Sequence, residues 1–470
     1  MAHDILPTVR KALKINLDTN FYGTFAEIGG GQEVARNFFK AGGASGTIAK
    51  TISAYDRLFS DAKYCPHKKN KERYVSEERL NMMLDREYDE LEKVLSGKKP
   101  EMRFFVYADT VEVLNYQKTN YSHGWLGFRF QLIPNSKPNT IIMHVKLLEN
   151  DGQLQQATLG ILGVNLIYAG INYYDSPWLF LESLMDNLSR DRLIMNAIFM
   201  SGPELDYVDN RLLAVQLVKT GMSPAIMFDK YGKVQQPSDM LYKKNILAFR
   251  GSFRPITYIS WDILKKSMEL FQKDEDYQED NTLSFCEITL NNLLSNGKEI
   301  NEKDFLERVN MLNDIGQNVM VSNFREYYRL VEFFRQFKIK KLRIVMGVPT
   351  LEKVMDDQYY KHLKGGLLEA VGKMFPQNLK FYIYPTLLKS KKENKLITVT
   401  NIRLKKKYRL LYEFLIENKF LLEIQSDLSD QLIIKSREVL KMIQDGNPEW
   451  EKYVPMAIAE RIKEKNLFKD

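Results

Sequence analysis

The stretch "LAFRGSFRPIT", Leu247 to Thr257, passes from an apolar run into a Gly-Ser-Phe-Arg-Pro loop. The apolar run reads as a buried strand, and "YISWDILKKSMELF" from Tyr258 has the apolar spacing of a helix. A strand, a tight loop and a helix open a doubly wound sheet, whose ligands sit at the carboxyl ends of the strands. Gly251 permits close backbone approach or a positive φ. Ser252 offers a hydroxyl, and successive N–H groups form an anion-binding concavity. Arg254 has the reach to meet a phosphate, Pro255 fixes the entry into the helix, and the helix N-terminus adds partial positive charge. The competing use of the same bend is only to redirect the backbone.

Downstream, strands and helices alternate. "QNVMVSN", "KKLRIVMGV", "NLKFYIYP" and "FLLEIQ" read as strands; "FREYYRLVEFFRQF", "LLEAVGKMF" and "KKYRLLYEFLIENK" read as helices. An acidic loop, "QKDEDYQEDN", leads into sequence read as helical to about Asp314. The expected architecture over 241–470 is an α/β, doubly wound parallel sheet closed by C-terminal helices. The boundary is placed near residue 240, in the polar, turn-rich "FDKYGKVQQPSDMLYKK" (Phe228 to Lys244).

Residues 1–240 read as a separate α/β or α+β domain. Helical sequence and a glycine-rich stretch precede the charged helix "SEERLNMMLDREYDELEKVLSG". Strand-like runs follow at "RFFVYADTVEVL", "GWLGFRFQLI" and "NTIIMHVKLL". A helix opened by Ser-Pro, the strand "RLIMNAIFMSG" and a helix capped near Asp209 complete this part.

The composition, 44% hydrophobic and 27% charged over 470 residues, is that of a globular chain with more than one core. The net charge of +8 is spread through local clusters such as "KKNKER", "KSKKENK" and "LKKKYR", read as solvated faces. No nucleic-acid partner is expected, and a small phosphorylated ligand suits the same excess. Two distant cysteines, Cys65 and Cys286, exclude a disulfide framework and a cysteine zinc site. The opening residues lack an apolar signal segment, and "LGILGVNLIYAGI" reads as too short to span a bilayer. The expectation is a cytoplasmic protein with no membrane partner, ordered at both ends and assembled as a homo-oligomer.

"GSFRPITYIS" resembles the first signature of the nucleotidyltransferase superfamily, above all the nicotinate/nicotinamide mononucleotide adenylyltransferases. The family pattern runs Gly-x-Phe-[small or Asp]-Pro-x-[Thr or His]-x-Gly-His. Gly251, Ser252, Phe253, Pro255 and Thr257 match it; Ile259 replaces the glycine and Ser260 the final histidine. The closing segment from Ser436 to Phe468 is similar to that of the family through Met442-Ile443, Gly446, Val454-Pro455, Ile462 and Leu467-Phe468. The second signature has two candidates, "ITVTNIR" ending in Arg403 and "IIKSREV" containing Ser436 and Arg437. As a whole the chain also resembles a bacterial family.

The resemblance implies a Rossmann-like domain that binds ATP, with magnesium, and joins it to a mononucleotide with loss of pyrophosphate. It implies catalytic roles for Thr257, Ser260 and Arg254, and nucleotide contacts from Gly251, Ser252, Phe253, Arg403, Ser436 and Arg437, with no protein-held metal. The alternative is a non-catalytic protein that uses the same fold to self-assemble.

Other constellations have structural uses. "ASGTIAKT" (Ala44 to Thr51) resembles a phosphate loop at Lys50 and Thr51 but lacks both its glycines, so a tight helix–helix contact is the expected use. The glycines Gly29 to Gly31 remain candidates to line a pocket. None of the histidines His3, His67, His123, His144 and His362 has another at i+3 or i+4. His144 is expected to be a hydrogen-bonded sheet residue, and His123 is a pocket candidate. Glu204, Asp206 and Asp209 are read as turn and cap residues rather than magnesium ligands.

Overall fold

The computed structural model describes residues 4–66, 73–275, 277–295, 299–388, 394–428, 432 and 435–469. "KKNKE" of the first basic cluster, most of the second, His3 and His67 lie outside them. The chain divides into two compact units, Met1–Pro224 and Ala225–Asp470. The division falls before the polar stretch around residue 240, because Ala225–Phe228 is a strand paired antiparallel with Asn318–Ser322 and so belongs to the second sheet.

The first unit is built on six strands in the order Ile48–Ala54, Phe21–Gly29, Arg103–Glu112, His123–Phe130, Asn139–Leu147 and Leu193–Ser201. The first three are parallel and the rest antiparallel. Helices Thr8–Asn16, Val34–Ala41, Gly152–Asn172 and Pro177–Leu184 bury one face, and Glu77–Leu95 the other. Phe21–Gly29 and Ile48–Ala54 occupy the stretch read as helical and glycine-rich. The former is buried almost throughout, so it lacks the polar alternation that marks a half-exposed strand.

The apolar run at 159–171 belongs to a longer helix, Gly152–Asn172, N-capped by Asp151, whose side chain accepts from Gln153 and Leu154 N–H at 2.9 Å. By length and composition this helix is able to cross a membrane, contrary to the reading of the run as too short, but 72% of its apolar window is buried inside the protein. Gly160 and Gly163 let it approach Val34–Ala41: a Cβ at Gly160 would stand 2.7 Å from that of Glu33, and one at Gly163 would strike Val34. The tight helix contact expected of the early glycines is thus made by glycines of the later helix.

The second unit carries six parallel strands, in chain order Asn245–Arg250, Thr282–Thr289, Asn318–Ser322, Lys341–Gly347, Leu379–Tyr384 and Leu421–Glu423. In space they run third, second, first, fourth, fifth, sixth, and Ala225–Phe228 and Val234–Gln235 extend the third strand's side antiparallel. This is the doubly wound order expected. The second strand lies where helical sequence was expected; "SFCEIT" is buried between two neighbours and runs straight into the apolar helix Leu290–Leu293, so neither alternation nor a turn residue marks it. Helices Tyr258–Phe271, Glu302–Asp314, Tyr327–Arg335, Gly366–Met374 and Arg409–Glu417 alternate with the strands, and Ser436–Gln444 and Met456–Lys465 close the unit.

Candidate functional site

Strand order reverses between the first and fourth strands, and at their carboxyl ends a cleft of about 670 Å³ opens. Such switch points are where doubly wound sheets take ligands. The cleft is lined by the loop after the first strand, Gly251 to Phe253, and by Thr257, Ile259 and Ser260 at the start of the next helix. Glu352, Lys353, Asp356 and Tyr359 come from beyond the fourth strand, and Tyr384 from the end of the fifth. Lys435, Ser436 and Arg437 bring in the start of helix Ser436–Gln444.

The loop is shaped around Phe253. That residue has a left-handed backbone (φ 48°), and its buried ring sits edge-on to Phe249 at 5.4 Å between centroids. Gly251 is required beneath it: a Cβ there would stand 2.9 Å from the ring tip. Gly251 N–H is not available to a ligand, because it donates to Glu287 carbonyl O at 3.0 Å and continues the sheet ladder. Ser252 and Phe253 N–H groups have no acceptor among the described residues. Arg308, ion-paired with Asp304, holds the loop from behind by donating to Ser252 carbonyl O at 3.3 Å and Asn292 carbonyl O at 2.8 Å. The bend is therefore filled on its inner side by Phe253 and open to the cleft on the other.

Thr257 is the N-cap of Tyr258–Phe271, its Oγ1 accepting from Ser260 N–H at 3.2 Å; the Thr257 and Ser260 hydroxyls are themselves 3.2 Å apart. Ser260, at the position of the family's histidine, thus presents an uncharged hydroxyl. Ser436 Oγ donates to Pro255 carbonyl O at 3.4 Å and ties the second helix start to the loop. Two helix N-termini, each with first-turn N–H groups lacking intrahelical acceptors, converge on one space.

Arg254 is not part of the cleft lining. Its Nε donates to Asp304 Oδ1 at 3.1 Å and its guanidinium lies 5.7 Å from the Phe468 ring centre, so it serves loop anchoring rather than phosphate contact. Arg403 is exposed and absent from the cleft lining, beyond the strand pair Thr386–Leu388 and Lys395–Ile397; of the two second-signature candidates, only the one carrying Ser436 and Arg437 reaches the site. Its Ile433 and Ile434 lie outside the described residues.

Lys353, Lys435 and Arg437 have no ion-pair partner among the described residues, whereas Asp356 pairs with Lys405 at 3.3 Å. Glu352, also in the lining, has no ion-pair partner among the described residues either, so the cleft offers three unpaired cations against one unpaired carboxylate. On its wall Tyr384 Oη donates to Asp262 Oδ2 at 2.5 Å and meets Ser426 Oγ at 2.7 Å. Burial, and then this bond to Asp262, pushes the Tyr384 phenol well up, so it stays protonated. No cluster of three or more His, Cys, Asp or Glu fit to hold a metal occurs among the described residues. Lys353, Tyr359 and Tyr384 escaped sequence reading; the available signal was their place after the fourth strand and at the end of the fifth.

The remaining candidates take structural roles. Lys50 and Thr51 lie in the edge strand Ile48–Ala54, not at a helix start, and Lys50 pairs with Glu87 and Glu90. Asp209 caps Asn210–Lys219 through Arg211 N–H at 2.9 Å, and Glu204 accepts from Asn139 Nδ2 at 2.6 Å. His144 is a buried sheet residue whose Nε2 lies 2.9 Å from His123 Nδ1; burial lowers the affinity of both rings for protons. His362 meets the Tyr328 hydroxyl at 3.0 Å.

No family model and no curated protein matches the sequence. Among solved structures, the chain is similar to competence/damage inducible protein CihA from Agrobacterium tumefaciens, at 12% identity and TM-score 0.24, over 35% of this chain and 93% of that one. It is similar to a competence or damage-inducible protein from Enterobacter asburiae, at 11% identity and TM-score 0.27, over 36% of this chain and 100% of that one. A CinA superfamily protein from Klebsiella pneumoniae gives 12% identity and TM-score 0.26, over 35% of this chain and 98% of that one. Nothing about ligand or activity follows from likeness at this level.

Proposed function

We propose that the 225–470 unit binds a nucleotide in the switch-point cleft, with its phosphates against the Ser252 and Phe253 amides and the first turns of Tyr258–Phe271 and Ser436–Gln444. The observation that carries this reading is the convergence of two helix N-termini, two unengaged amides and three unpaired cations on one cleft at the reversal of strand order. The resemblance of Gly251 to Ser260 to the nucleotidyltransferase signature makes ATP and a mononucleotide the proposed pair. In that reaction a phosphate oxygen of the mononucleotide bonds to the α-phosphorus of ATP, the bond from that phosphorus to the β-bridging oxygen breaks, and pyrophosphate leaves.

Positioning and charge stabilisation account for most of such a rate. Lys435, Ser436 and Arg437 are assigned to the triphosphate, and Thr257 and Ser260 hydroxyls to the leaving side. Magnesium would arrive on the ligand's phosphates, with Glu352 the nearby carboxylate, and would neutralise part of their charge. Ser260 supplies no positive charge where the family has an imidazole, and loss of one such donor costs on the order of a hundredfold in rate. That difference favours a second reading, a site that binds nucleotide without turning it over.

Two measurements on the full chain decide between them. ATP at about 100 times its dissociation constant adds about 2.7 kcal/mol of stability, visible as a higher melting temperature. Pyrophosphate release from ATP with nicotinate mononucleotide then reports transfer. A melting shift without pyrophosphate favours binding alone; no shift with ATP, ADP or the mononucleotide removes the nucleotide reading.

A further inference from the structure

The two large sheets have four edges, and three of them are closed. Leu421–Glu423 and Val234–Gln235 are short strands of three and two residues. Leu193–Ser201 is long, but Met195 N–H donates to Met222 carbonyl O at 3.0 Å, and the Asn210 amide bonds both Met200 N–H and Met200 carbonyl O. Short or covered edges are how sheet proteins avoid pairing with other chains.

Ile48–Ala54 differs. It spans seven residues without proline, and among the described residues nothing hydrogen-bonds the outer backbone of positions 48 to 53; only its end, Ala54 carbonyl O, accepts from the Tyr74 hydroxyl. A lysine on an edge strand ordinarily repels a second strand. Here Lys50 is turned onto Glu87 and Glu90, so its charge is matched within the same chain. Large apolar side chains flank the edge on both faces: Tyr55 is 78% exposed, Leu58 78%, Phe59 60% and Phe39 54%. These four leave on the order of 500 Å² of surface open per protomer, taking 150–250 Å² for a large side chain. Two copies would cover roughly 1,000 Å² before any backbone contact, the lower bound for a biological interface, and the paired strands add to it toward the roughly 1,200 Å² where stable ones begin.

We infer that Ile48–Ala54 is a homodimer edge: two copies of this chain pair antiparallel through it about a twofold axis, with Phe39, Tyr55, Leu58 and Phe59 packed on either side. A second copy fits the site for a geometric reason. A strand edge presented to itself about a twofold axis is self-complementary in backbone groups, and the strand has no unmatched charge to oppose its own copy. The inference does not depend on what the other unit binds.

Sedimentation equilibrium of the full chain between about 1 and 100 µM tests it, with amide exchange across 48–54 as a second readout. A dimer is expected, with amides of that strand slowing as concentration rises. Leu58→Glu with Phe59→Glu should weaken the dimer at least about a hundredfold, as expected when central anchors are lost. Thr51→Lys, which places an unmatched charge on the exposed edge, should do the same while far-UV dichroism and melting temperature stay those of the parent monomer. A chain that is monomeric at 100 µM overturns the inference, as does a dimer that survives the Thr51→Lys substitution.

Discussion

Replacing Gly251 by alanine is the sharpest probe of the loop. The added Cβ would lie 2.9 Å from the Phe253 ring tip and 3.2 Å from the two adjacent ring carbons. Comfortable carbon contacts begin near 3.5 Å, so the ring has to retreat by roughly 0.5 Å. It has little room: only 3% of Phe253 is exposed, Phe249 lies edge-on against it, and its own backbone is left-handed. Overpacking of this kind costs about 1–3 kcal/mol of stability.

The ring and the cleft-facing amide belong to the same residue, so the displacement also moves the donors at Ser252 and Phe253. A hydrogen bond to a charged group contributes about 1.5–3 kcal/mol, and losing one weakens nucleotide binding by roughly ten- to a hundredfold. Calorimetric titration with ADP, beside denaturant unfolding, measures both effects. Gly372→Ala is the control. Its Cβ meets nothing within 4 Å, inside helix Gly366–Met374, so stability should rise by about 0.5–1 kcal/mol with affinity unchanged. Adding Phe253→Leu to Gly251→Ala should restore part of the loss, because the two changes share one contact. If Gly251→Ala binds ADP within twofold of the parent and unfolds within about 0.5 kcal/mol of it, the loop is not the rigid donor array described.

Two arginines should separate by role. Arg437→Ala should weaken ATP binding by about tenfold or more with little change in unfolding, whereas Arg254→Ala should lower stability by about 1–3 kcal/mol through the buried Asp304 and affect affinity less; the reverse pattern in paired titration and unfolding assays would return Arg254 to the phosphate. Glu27 gives the first unit a pH signature. Its carboxylate accepts from Val34 and Ala35 N–H, but burial outweighs these bonds and raises it from an ordinary 4.5 to about 7, beside Asp109, which burial and Glu27 push well up. The native state therefore holds protons that the unfolded state releases. This stabilisation is full below about pH 4.5 and is lost as pH rises through about 7, amounting to about 3 kcal/mol at most. Melting of the first unit should fall between pH 5 and 8, and Glu27→Gln should flatten that slope; an unchanged slope would exclude Glu27 as its source.

The second unit was the more legible of the two because each strand there is followed by a helix with its own 3.6-residue spacing. Glycine, proline and the capping Thr257 punctuated the turn that matters most. Where both faces of a strand are covered, as at Phe21–Gly29 and Thr282–Thr289, the alternation that betrays a strand vanishes, and local sequence looks like something else. Asp209 was readable as a cap since its partner is two residues away; the His123–His144 contact, 21 residues apart, was not.

By itself the sequence determined the strand–loop–helix at Leu247 to Phe271, the close backbone approach at Gly251, and the hydroxyls at its helix start, all set by backbone sterics and short-range hydrogen bonds; the left-handed residue of the bend is Phe253 and not the glycine. Tertiary structure alone decided which charges face the cleft. Arg254 sits inside the motif yet turns to Asp304, fifty positions on, while Arg437 arrives from the far end of the chain. The reason is that the direction of a long side chain is set by the nearest buried opposite charge, and that neighbour is fixed by how distant elements pack, not by the residues beside it in sequence.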